Sequence, residues 1–303
     1  MMNKQYKYTF IIPHRDIPEL LSRCLQSIPR RDDVQIIVVD DVSSPDIVDE
    51  YFSILEQDTS VDLIRLEQSH GAGHARNVGL AQACGEWIVF ADADDFFAGG
   101  ILDKLDAHSQ DDADIIYFRA KSVYSDTLEP SPKLSKRNLV VDSLVGTSKV
   151  EPYCRFLYTE PWGKMIRRSL IARYNCKFDE TPVANDYYFS IMVGYYASKI
   201  YFDNTALYVY TERKMSLSNN FGGKAMQLST RLSVFYRVQL FFDEHRVRYI
   251  PFYRLSLSEY RNGNDELKGI VKTFWAEKGL SISYVYYRYV IGKIYAWLFG
   301  VSL

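Results

Sequence analysis

The strongest constraint on the fold is an alternation of buried-strand and helix patterns over the first 120 residues. Short apolar, β-branched runs predict strands, and the segments between them carry apolar residues at helical spacing. The predicted strands are Tyr8–Pro13, Gln35–Val39, Val61–Leu66, Glu86–Ala91 and Asp114–Phe118, and the predicted helices are Pro18–Ile28, with Asp16 as its N-cap, Asp46–Leu55 and Ala72–Ala83. This order predicts an α/β fold with a doubly wound, mainly parallel sheet, which binds ligands at the carboxyl ends of its strands.

The rest of the chain divides into stretches of different character. Pro130, Pro132 and a run of mixed charge predict a loop or insertion within 121–150, and mixed helix and strand patterns follow to about residue 212. From about residue 222 the pattern becomes helical and aromatic. We therefore predict one domain over 1–220 and a helical extension over 221–303.

The charge distribution argues against a general nucleic-acid binder, since the formal net charge is −2 at pH 7. The charge is uneven, however, because 12 Lys and Arg stand against 6 Asp and Glu from residue 221 onward. This imbalance favours an anionic surface partner for the C-terminal part.

The four cysteines form no CxxC pair, which argues against a zinc site. The segment Met1–Phe10 lacks a signal-peptide core, so we expect a cytosolic protein.

Carboxylates collect at two predicted strand ends: Asp40 and Asp41 follow the second strand, and Asp92-Ala93-Asp94-Asp95 follows the fourth. Two carboxylates spaced i, i+2 in a turn can point into one cavity. Oxygen ligands of this kind suit Mg²⁺ or Mn²⁺, which bind one or two carboxylates together with substrate phosphates. The pattern therefore predicts a metal–diphosphate site, and the alternative is a solvated acidic turn that caps the next helix.

A longer motif surrounds the second acidic cluster. It begins with Gly71-Ala72-Gly73-His74-Ala75-Arg76-Asn77-Val78-Gly79-Leu80 and ends with Gly85-Glu86-Trp87-Ile88-Val89-Phe90-Ala91-Asp92-Ala93-Asp94-Asp95. It resembles the GxxxARNxGLxxAxGEYIxFxDxDD pattern of the family 2 inverting glycosyltransferases, which have the GT-A fold. Further blocks that resemble this family follow in the right order: Ile11-Ile12-Pro13, Val38-Val39-Asp40-Asp41-Val42-Ser43, Pro161-Trp162-Gly163-Lys164-Met165-Ile166-Arg167-Arg168 and Asn185-Asp186-Tyr187-Tyr188-Phe189. The resemblance covers roughly residues 8–218 and implies a GT-A catalytic domain with a donor half over about 1–120 and an acceptor half over about 121–220.

The resemblance implies a nucleotide-sugar donor, with a UDP-sugar as the expected one. The donor-binding residues that it implies are Pro13, Asp40, Asp41, Arg76, Asp92 and Asp94. In this assignment Asp40 or Asp41 contacts the uracil, and Arg76 lies near the base or the phosphates. Asp92 then faces the ribose, and Asp94 binds the metal, Mn²⁺ or Mg²⁺.

The resemblance also assigns the acceptor half, where Asp186 is the implied general base and Trp162 and Lys164 lie on the acceptor side. Asp186 would take the proton of an acceptor hydroxyl during one inverting displacement. Val42 departs from the family pattern, which has Gly at this position, and predicts a turn that does not use positive φ. The alternatives are a nucleotidyltransferase, or a catalytically inactive sugar-binding subunit.

The last segment, 280–303, is rich in Tyr, Ile, Val and Trp and is interrupted by Arg288 and Lys293. Its longest uncharged run is too short to span a bilayer, and it predicts an interfacial helix on an anionic membrane. The alternative is a helix packed on the protein's own core or on a second subunit. On the membrane interpretation, the protein is cytoplasmic and peripheral on the inner face of the cell membrane, and a lipid-linked saccharide becomes an expected acceptor beside a free saccharide.

Overall fold

The computed structural model describes residues 5–213 and 223–298, and for 295–298 the backbone alone. The described residues form two compact units, one over 5–180 and 189–213 and the other over 181–188 and 223–298. The boundary predicted between residues 220 and 221 lies outside the described residues, so that division of the chain stays a prediction.

The first unit is built on an eight-stranded sheet with the order β3-β2-β1-β4-β7-β6-β8-β5. The strands are β1 (Tyr8–His14), β2 (Val34–Asp40), β3 (Asp62–Arg65), β4 (Trp87–Phe90), β5 (Phe96–Phe97), β6 (Ile115–Tyr124), β7 (Lys164–Arg167) and β8 (Ile200–Glu212). The first four strands run parallel to one another, whereas β7 lies antiparallel between β4 and β6, and β5 lies antiparallel to β8. This arrangement confirms the predicted α/β class with its parallel half.

Helices cover this sheet and link its strands. They are α1 (Pro18–Gln26), α2 (Pro45–Leu55), α3 (Ala72–Gln82), α4 (Ile101–Ala107), α5 (Ser135–Leu144), α6 (Val150–Phe156), α7 (Arg168–Arg173) and α8 (Tyr187–Tyr196). Helix α3 packs tightly on β1 because it carries Gly79, where an added Cβ would lie 2.5 Å from the Ile11 Cγ2 atom. The close approach sets the position of α3, and with it Arg76, against the parallel strands.

Two local predictions were wrong. Helix α5 occupies part of the stretch predicted as a loop, and β6 continues to Tyr124 because its outer half pairs with β8. Asp16 is not the N-cap of α1, a position that Ile17 holds without a side-chain cap. Asp16 instead adopts a positive φ of 55° and accepts a hydrogen bond from the Ser44 backbone N–H, joining the ends of β1 and β2.

His108 ties the end of α4 to strand β8. Its Nδ1 lies 2.7 Å from Asp111 Oδ2 and its Nε2 lies 2.8 Å from Asp203 Oδ2. Burial alone would lower the pKa of His108, but the two carboxylates outweigh it and hold this pKa above its ordinary value. The imidazolium form is therefore stabilised in the folded protein.

The second unit contains four helices from residue 223 onward, namely α9 (Gly223–Glu244), α10 (Pro251–Asn262), α11 (Asp265–Glu277) and α12 (Ile282–Leu298). One face of α12 packs inward through the fully buried Val285, and an added Cβ at Gly292 would lie 2.5 Å from an Ile250 atom. Ile282, Tyr286 and Tyr287 lie exposed on α12. Among the described residues, no helix has the length and apolar character needed to cross a membrane.

Candidate donor and metal site

The candidate site lies where the parallel strands β1, β2 and β4 end. Because these strands run in the same direction, the residues after them collect at one edge of the sheet. Pro13 is buried within β1 and pairs in register with Val39 of β2. The two acidic segments predicted from the sequence, at the ends of β2 and β4, therefore lie on the same edge.

Asp40, at the end of β2, is buried and bonded to protein groups. Its Oδ1 lies 2.9 Å from His14 Nδ1, and its Oδ2 accepts the Ser43 backbone N–H at 3.0 Å. His14 Nε2 accepts the Ile17 backbone N–H at 3.3 Å, which leaves Nδ1 to donate to Asp40. Burial would raise the pKa of Asp40, but the bonds from His14 and Ser43 offset it and hold this pKa below its ordinary value.

Asp41 is also buried, and it organises the loop that leads into α3. Its carboxylate accepts the backbone N–H groups of His70 at 2.9 Å and Gly71 at 3.0 Å, and the Ser69 hydroxyl at 2.8 Å. Asp40 and Asp41, one or the other of which is predicted to contact uracil, thus both brace the turns around the site. Their uracil contact stays a prediction.

Val42 has a φ of 61°, in the left-handed region, although the sequence predicted a turn without positive φ. The prediction was wrong because the neighbours of Val42 are fixed on both sides. The Asp41 backbone N–H donates to the His14 carbonyl at 2.9 Å, and Ser43 is held by Asp40. A β-branched residue in this region is strained, a condition typical of turns at functional sites.

Asp92, Asp94 and Asp95 form a compact acidic cluster after β4, in which one oxygen from each lies within 4.8 Å of the others. Asp95 is buried, and its oxygens accept the Tyr208 hydroxyl at 2.8 Å and the Thr211 backbone N–H at 2.6 Å. The side chains of Asp92 and Asp94 keep 30% and 23% of their surface exposed. Two accessible carboxylates fit a Mn²⁺ or Mg²⁺ ion that completes its ligands with phosphate oxygens and water.

Three arginines balance the charge of this cluster. Arg76 Nη2 donates to Asp92 Oδ1 at 2.5 Å, and Arg213 Nη2 donates to Asp94 Oδ2 at 2.6 Å. Arg23 Nη2 donates to the backbone carbonyl of Asp94 at 2.7 Å. Burial, followed by the neighbouring carboxylates, nevertheless raises the pKa of Asp94 above its ordinary value.

Sequence reasoning identified Arg76 but missed Arg23 and Arg213. Arg23 lies on α1, and Arg213 directly follows β8, more than one hundred residues after the acidic cluster. Neither residue stands in a motif, and only the folded structure shows that both contact Asp94.

Trp162 and Lys164, predicted on the acceptor side, are both buried in the first unit. The Trp162 ring stacks on Tyr208 with a centroid distance of 4.8 Å and an interplanar angle of 6°. Lys164 Nζ donates to the Tyr158 carbonyl at 2.7 Å. The stacked Tyr208 in turn donates its hydroxyl to Asp95 of the acidic cluster. The acceptor-side role of Trp162 and Lys164 stays a prediction.

Asp186, the predicted general base, belongs to the second unit and directly precedes α8. The backbone before it turns through Ala184, which has a φ of 56°, and the Tyr187 backbone N–H donates to the Ala184 carbonyl at 3.3 Å. Tyr187 then stacks on Phe235 with a centroid distance of 4.2 Å. The structure thus places Asp186 directly before the first turn of α8, next to the helix N-terminus, where a carboxylate is stabilised by the helix dipole.

The sequence profile of glycosyl transferase family 2 matches residues 9–174, which include both strand-end acidic segments and Arg76. The chain belongs to glycosyl transferase family 2. This confirms the family resemblance seen in the motifs.

Relatives in the family are distant and longer. The chain is 27% identical to the uncharacterized glycosyltransferase EpsJ of Bacillus subtilis over 69% of its own length and 62% of that protein. It is 27% identical to the cholesterol galactosyltransferase of Borreliella burgdorferi over 71% of its own length and 63% of that protein. The chain therefore spans less than two thirds of the length of these relatives.

Solved structures share the fold at low sequence identity. Residues 1–349 of Staphylococcus aureus TarS, in complex with UDP-GlcNAc, match 88% of this chain and 71% of that chain, with a TM-score of 0.61 and 20% identity. The mannosyltransferase PcManGT from Pyrobaculum calidifontis, in complex with GDP-Man and Mn²⁺, matches 99% of this chain and 89% of that chain, with a TM-score of 0.54 and 15% identity. The GT-A fold expected from the motifs is thereby confirmed.

Proposed function

We propose that this family 2 protein is an inverting glycosyltransferase that moves a sugar from a nucleotide-diphosphate donor, expected to be a UDP-sugar, to a saccharide or lipid-linked saccharide. The observation that carries the proposal is the pair Asp92 and Asp94 at the carboxyl edge of the parallel strands, flanked by arginines. Two fold neighbours are described as complexes with nucleotide sugars, one of them also with Mn²⁺.

In this proposal, different residues of the site bind different parts of the donor. Asp94 holds Mn²⁺ or Mg²⁺, and Asp92, kept in place by Arg76, faces the ribose. Asp40 or Asp41 contacts the base, and both carboxylates fix the turns that would receive it. The bound metal supplies charge stabilisation for the departing diphosphate. Arginine side chains at the same edge offer further donors to phosphate oxygens.

Asp186 is the proposed general base. It takes the proton of the acceptor hydroxyl while that oxygen forms a bond to the anomeric carbon. The bond from this carbon to the diphosphate oxygen breaks in the same step, and the nucleoside diphosphate leaves with the electron pair. One such displacement inverts the anomeric centre and requires no enzyme nucleophile.

We further propose that 280–303 attaches the protein to an anionic membrane surface, which would bring a lipid-linked acceptor within reach. The exposed side chains of α12 that support this proposal are Ile282, Tyr284, Tyr286, Tyr287 and Ile294. Aromatic side chains of this kind favour the headgroup region of a bilayer. Residues 299–303 of this segment lie outside the described residues.

Calorimetric titration of UDP, with and without Mn²⁺, tests the donor site. Wild-type protein should bind UDP more tightly with the metal, and Asp94→Asn should lower that affinity about 10- to 100-fold, the scale seen when groups around a bound metal are altered. Asp112→Asn is the matched control, because it removes the same charge from the opposite edge of the sheet, where Asp112 is exposed and pairs with Lys199.

Equal affinities with and without the metal, or normal binding by the Asp94 variant, would refute metal-dependent donor binding. Product analysis then separates the alternatives. Release of UDP with transfer of the sugar supports a glycosyltransferase, formation of pyrophosphate indicates a nucleotidyltransferase, and tight donor binding without turnover indicates an inactive sugar-binding subunit.

A further inference from the structure

Arg213 holds the carboxylate that the proposed function assigns to the metal. Its Nη2 donates to Asp94 Oδ2 at 2.6 Å, and the two side chains keep only 21% and 23% of their surface exposed. A guanidinium and a divalent cation repel one another, and both would bind the same oxygen, Asp94 Oδ2. A cation that binds through this oxygen of Asp94 therefore competes with Arg213 for it.

The backbone beside Arg213 is fixed, whereas its guanidinium has unused bonding capacity. Two residues earlier, Thr211 donates its backbone N–H to Asp95 at 2.6 Å and its hydroxyl to the Asp94 carbonyl at 2.7 Å. The Nε of Arg213 is buried and has no hydrogen-bond partner within the described part of the chain. A buried, unsatisfied donor of this kind is costly and leaves Arg213 able to bind a further acceptor.

A second arginine adds positive charge beside Asp94. Arg23 donates to the Asp94 carbonyl at 2.7 Å and to the Ser125 carbonyl at 3.0 Å. Arg23 and Arg213 repel one another, and burial, with this repulsion, lowers the pKa of Arg23. If Arg213 left Asp94 without a new anionic partner, this repulsion would be less well compensated.

We propose that Arg213 is a donor-binding residue that changes partner, from the Asp94 carboxylate to the diphosphate of the nucleotide, when a metal ion takes Asp94. This inference rests on the proposed function. The planar fork of arginine, with its unsatisfied Nε, matches the oxygens of a diphosphate. The exchange makes metal and nucleotide binding cooperative, since the diphosphate gives the displaced guanidinium a new partner and each ligand lowers the cost of binding the other.

The test measures two affinities of the full chain, for Mn²⁺ alone and for UDP in saturating Mn²⁺. Arg213→Gln should bind Mn²⁺ alone about tenfold more tightly, because the competing charge-assisted bond is gone. The same variant should bind UDP about tenfold more weakly, because a diphosphate contact is lost. Changes of opposite sign in one variant are not expected from a general loss of structure.

Two further variants sharpen the result. Arg213→Lys keeps the competing charge but offers a single ammonium group, so its Mn²⁺ affinity should stay near that of the wild type while UDP binding falls by an intermediate amount. Arg30→Gln removes an exposed arginine paired with Asp58 before β2, at the opposite edge of the sheet, and should change neither affinity.

If Arg213→Gln leaves both affinities unchanged, or shifts both in the same direction, the exchange of partners is wrong while the proposed function stands. A wild-type protein that binds neither Mn²⁺ nor UDP would overturn the proposed function and this inference together. If Arg213→Gln fails to fold, as judged by its circular dichroism and unfolding temperature, the test passes to Arg213→Lys. In that case, UDP affinity equal to the wild type would overturn the exchange.

Discussion

Replacing Val42 by glycine and, separately, by alanine tests the strained turn beside the candidate site. Val42 lies between Asp41, which directly follows β2, and Ser43, with a φ of 61° and 37% of its surface exposed. Both substitutions remove nearly the whole side chain, so the loss of partly buried apolar surface is similar in the two variants. The comparison between them therefore isolates the backbone conformation.

The expected difference in the free energy of unfolding follows from two opposing terms. An L-residue in the left-handed region costs roughly 1–2 kcal/mol, which alanine retains and glycine avoids. Glycine loses about 0.5–1 kcal/mol more conformational entropy on folding than alanine does. The glycine variant should therefore be more stable than the alanine variant by about 1 kcal/mol. With an ordinary negative φ the order would reverse, because only the entropy difference would remain.

Urea unfolding of the two variants and the wild type measures this difference. Equal slopes of the free energy against urea concentration would show that the variants unfold from comparably compact native states. The glycine variant should have the higher midpoint, and both variants should keep the UDP affinity of the wild type within about twofold, since Asp40 and Asp41 are held by bonds outside Val42. An alanine variant as stable as the glycine variant, or more stable, would refute the strained conformation.

Three further changes probe other parts of the molecule. Asp186→Asn should lower turnover by about 10²–10⁴ while donor affinity is kept, and wild-type turnover would exclude the general base. His108→Gln should destabilise the first unit by about 1 kcal/mol near pH 6. Because the pKa of His108 is raised in the folded protein, this loss of stability is full below the ordinary pKa of histidine and fades as the pH rises through the pKa in the folded protein. Equal losses at pH 6 and pH 9 would contradict the pairing of His108 with its two carboxylates. Full-length protein should sediment with anionic vesicles at low salt, and a form ending at residue 279 should not; if both stay in the supernatant, the membrane attachment proposed for 280–303 is wrong.

The parallel half of the sheet could be predicted because its signals are local. Strands β1 to β4 are short apolar runs separated by helical periodicity, and each predicted boundary lies within about two residues of the observed one, as is usual for such boundaries. The other half depends on pairings between distant segments. Strand β6 continues to Tyr124 because its outer half pairs with β8, which begins at Ile200. No local pattern in 121–150 predicts this pairing.

The same distinction separates the predicted and the missed residues of the candidate site. Asp92, Asp94 and Arg76 stand in one continuous motif, so their proximity follows from a single βα unit. Arg213 reaches Asp94 through a strand that lies more than one hundred residues away in the sequence. The sequence could therefore predict the acidic cluster and the proposed metal ligand Asp94, but not the arginine that pairs with Asp94.

Asp95 shows why the distant strand is needed at the site. It is the buried member of the acidic cluster, and its pKa is raised well above its ordinary value by burial and by the neighbouring carboxylates. The Tyr208 hydroxyl donates to Asp95 at 2.8 Å and accepts the Asp92 backbone N–H at 2.9 Å, so β8 holds both ends of the acidic turn. A turn with three close carboxylates would otherwise open under its own repulsion. Strand β8 thus contributes the bonds that keep Asp92 and Asp94 convergent and, with Arg213, a cation that balances their charge.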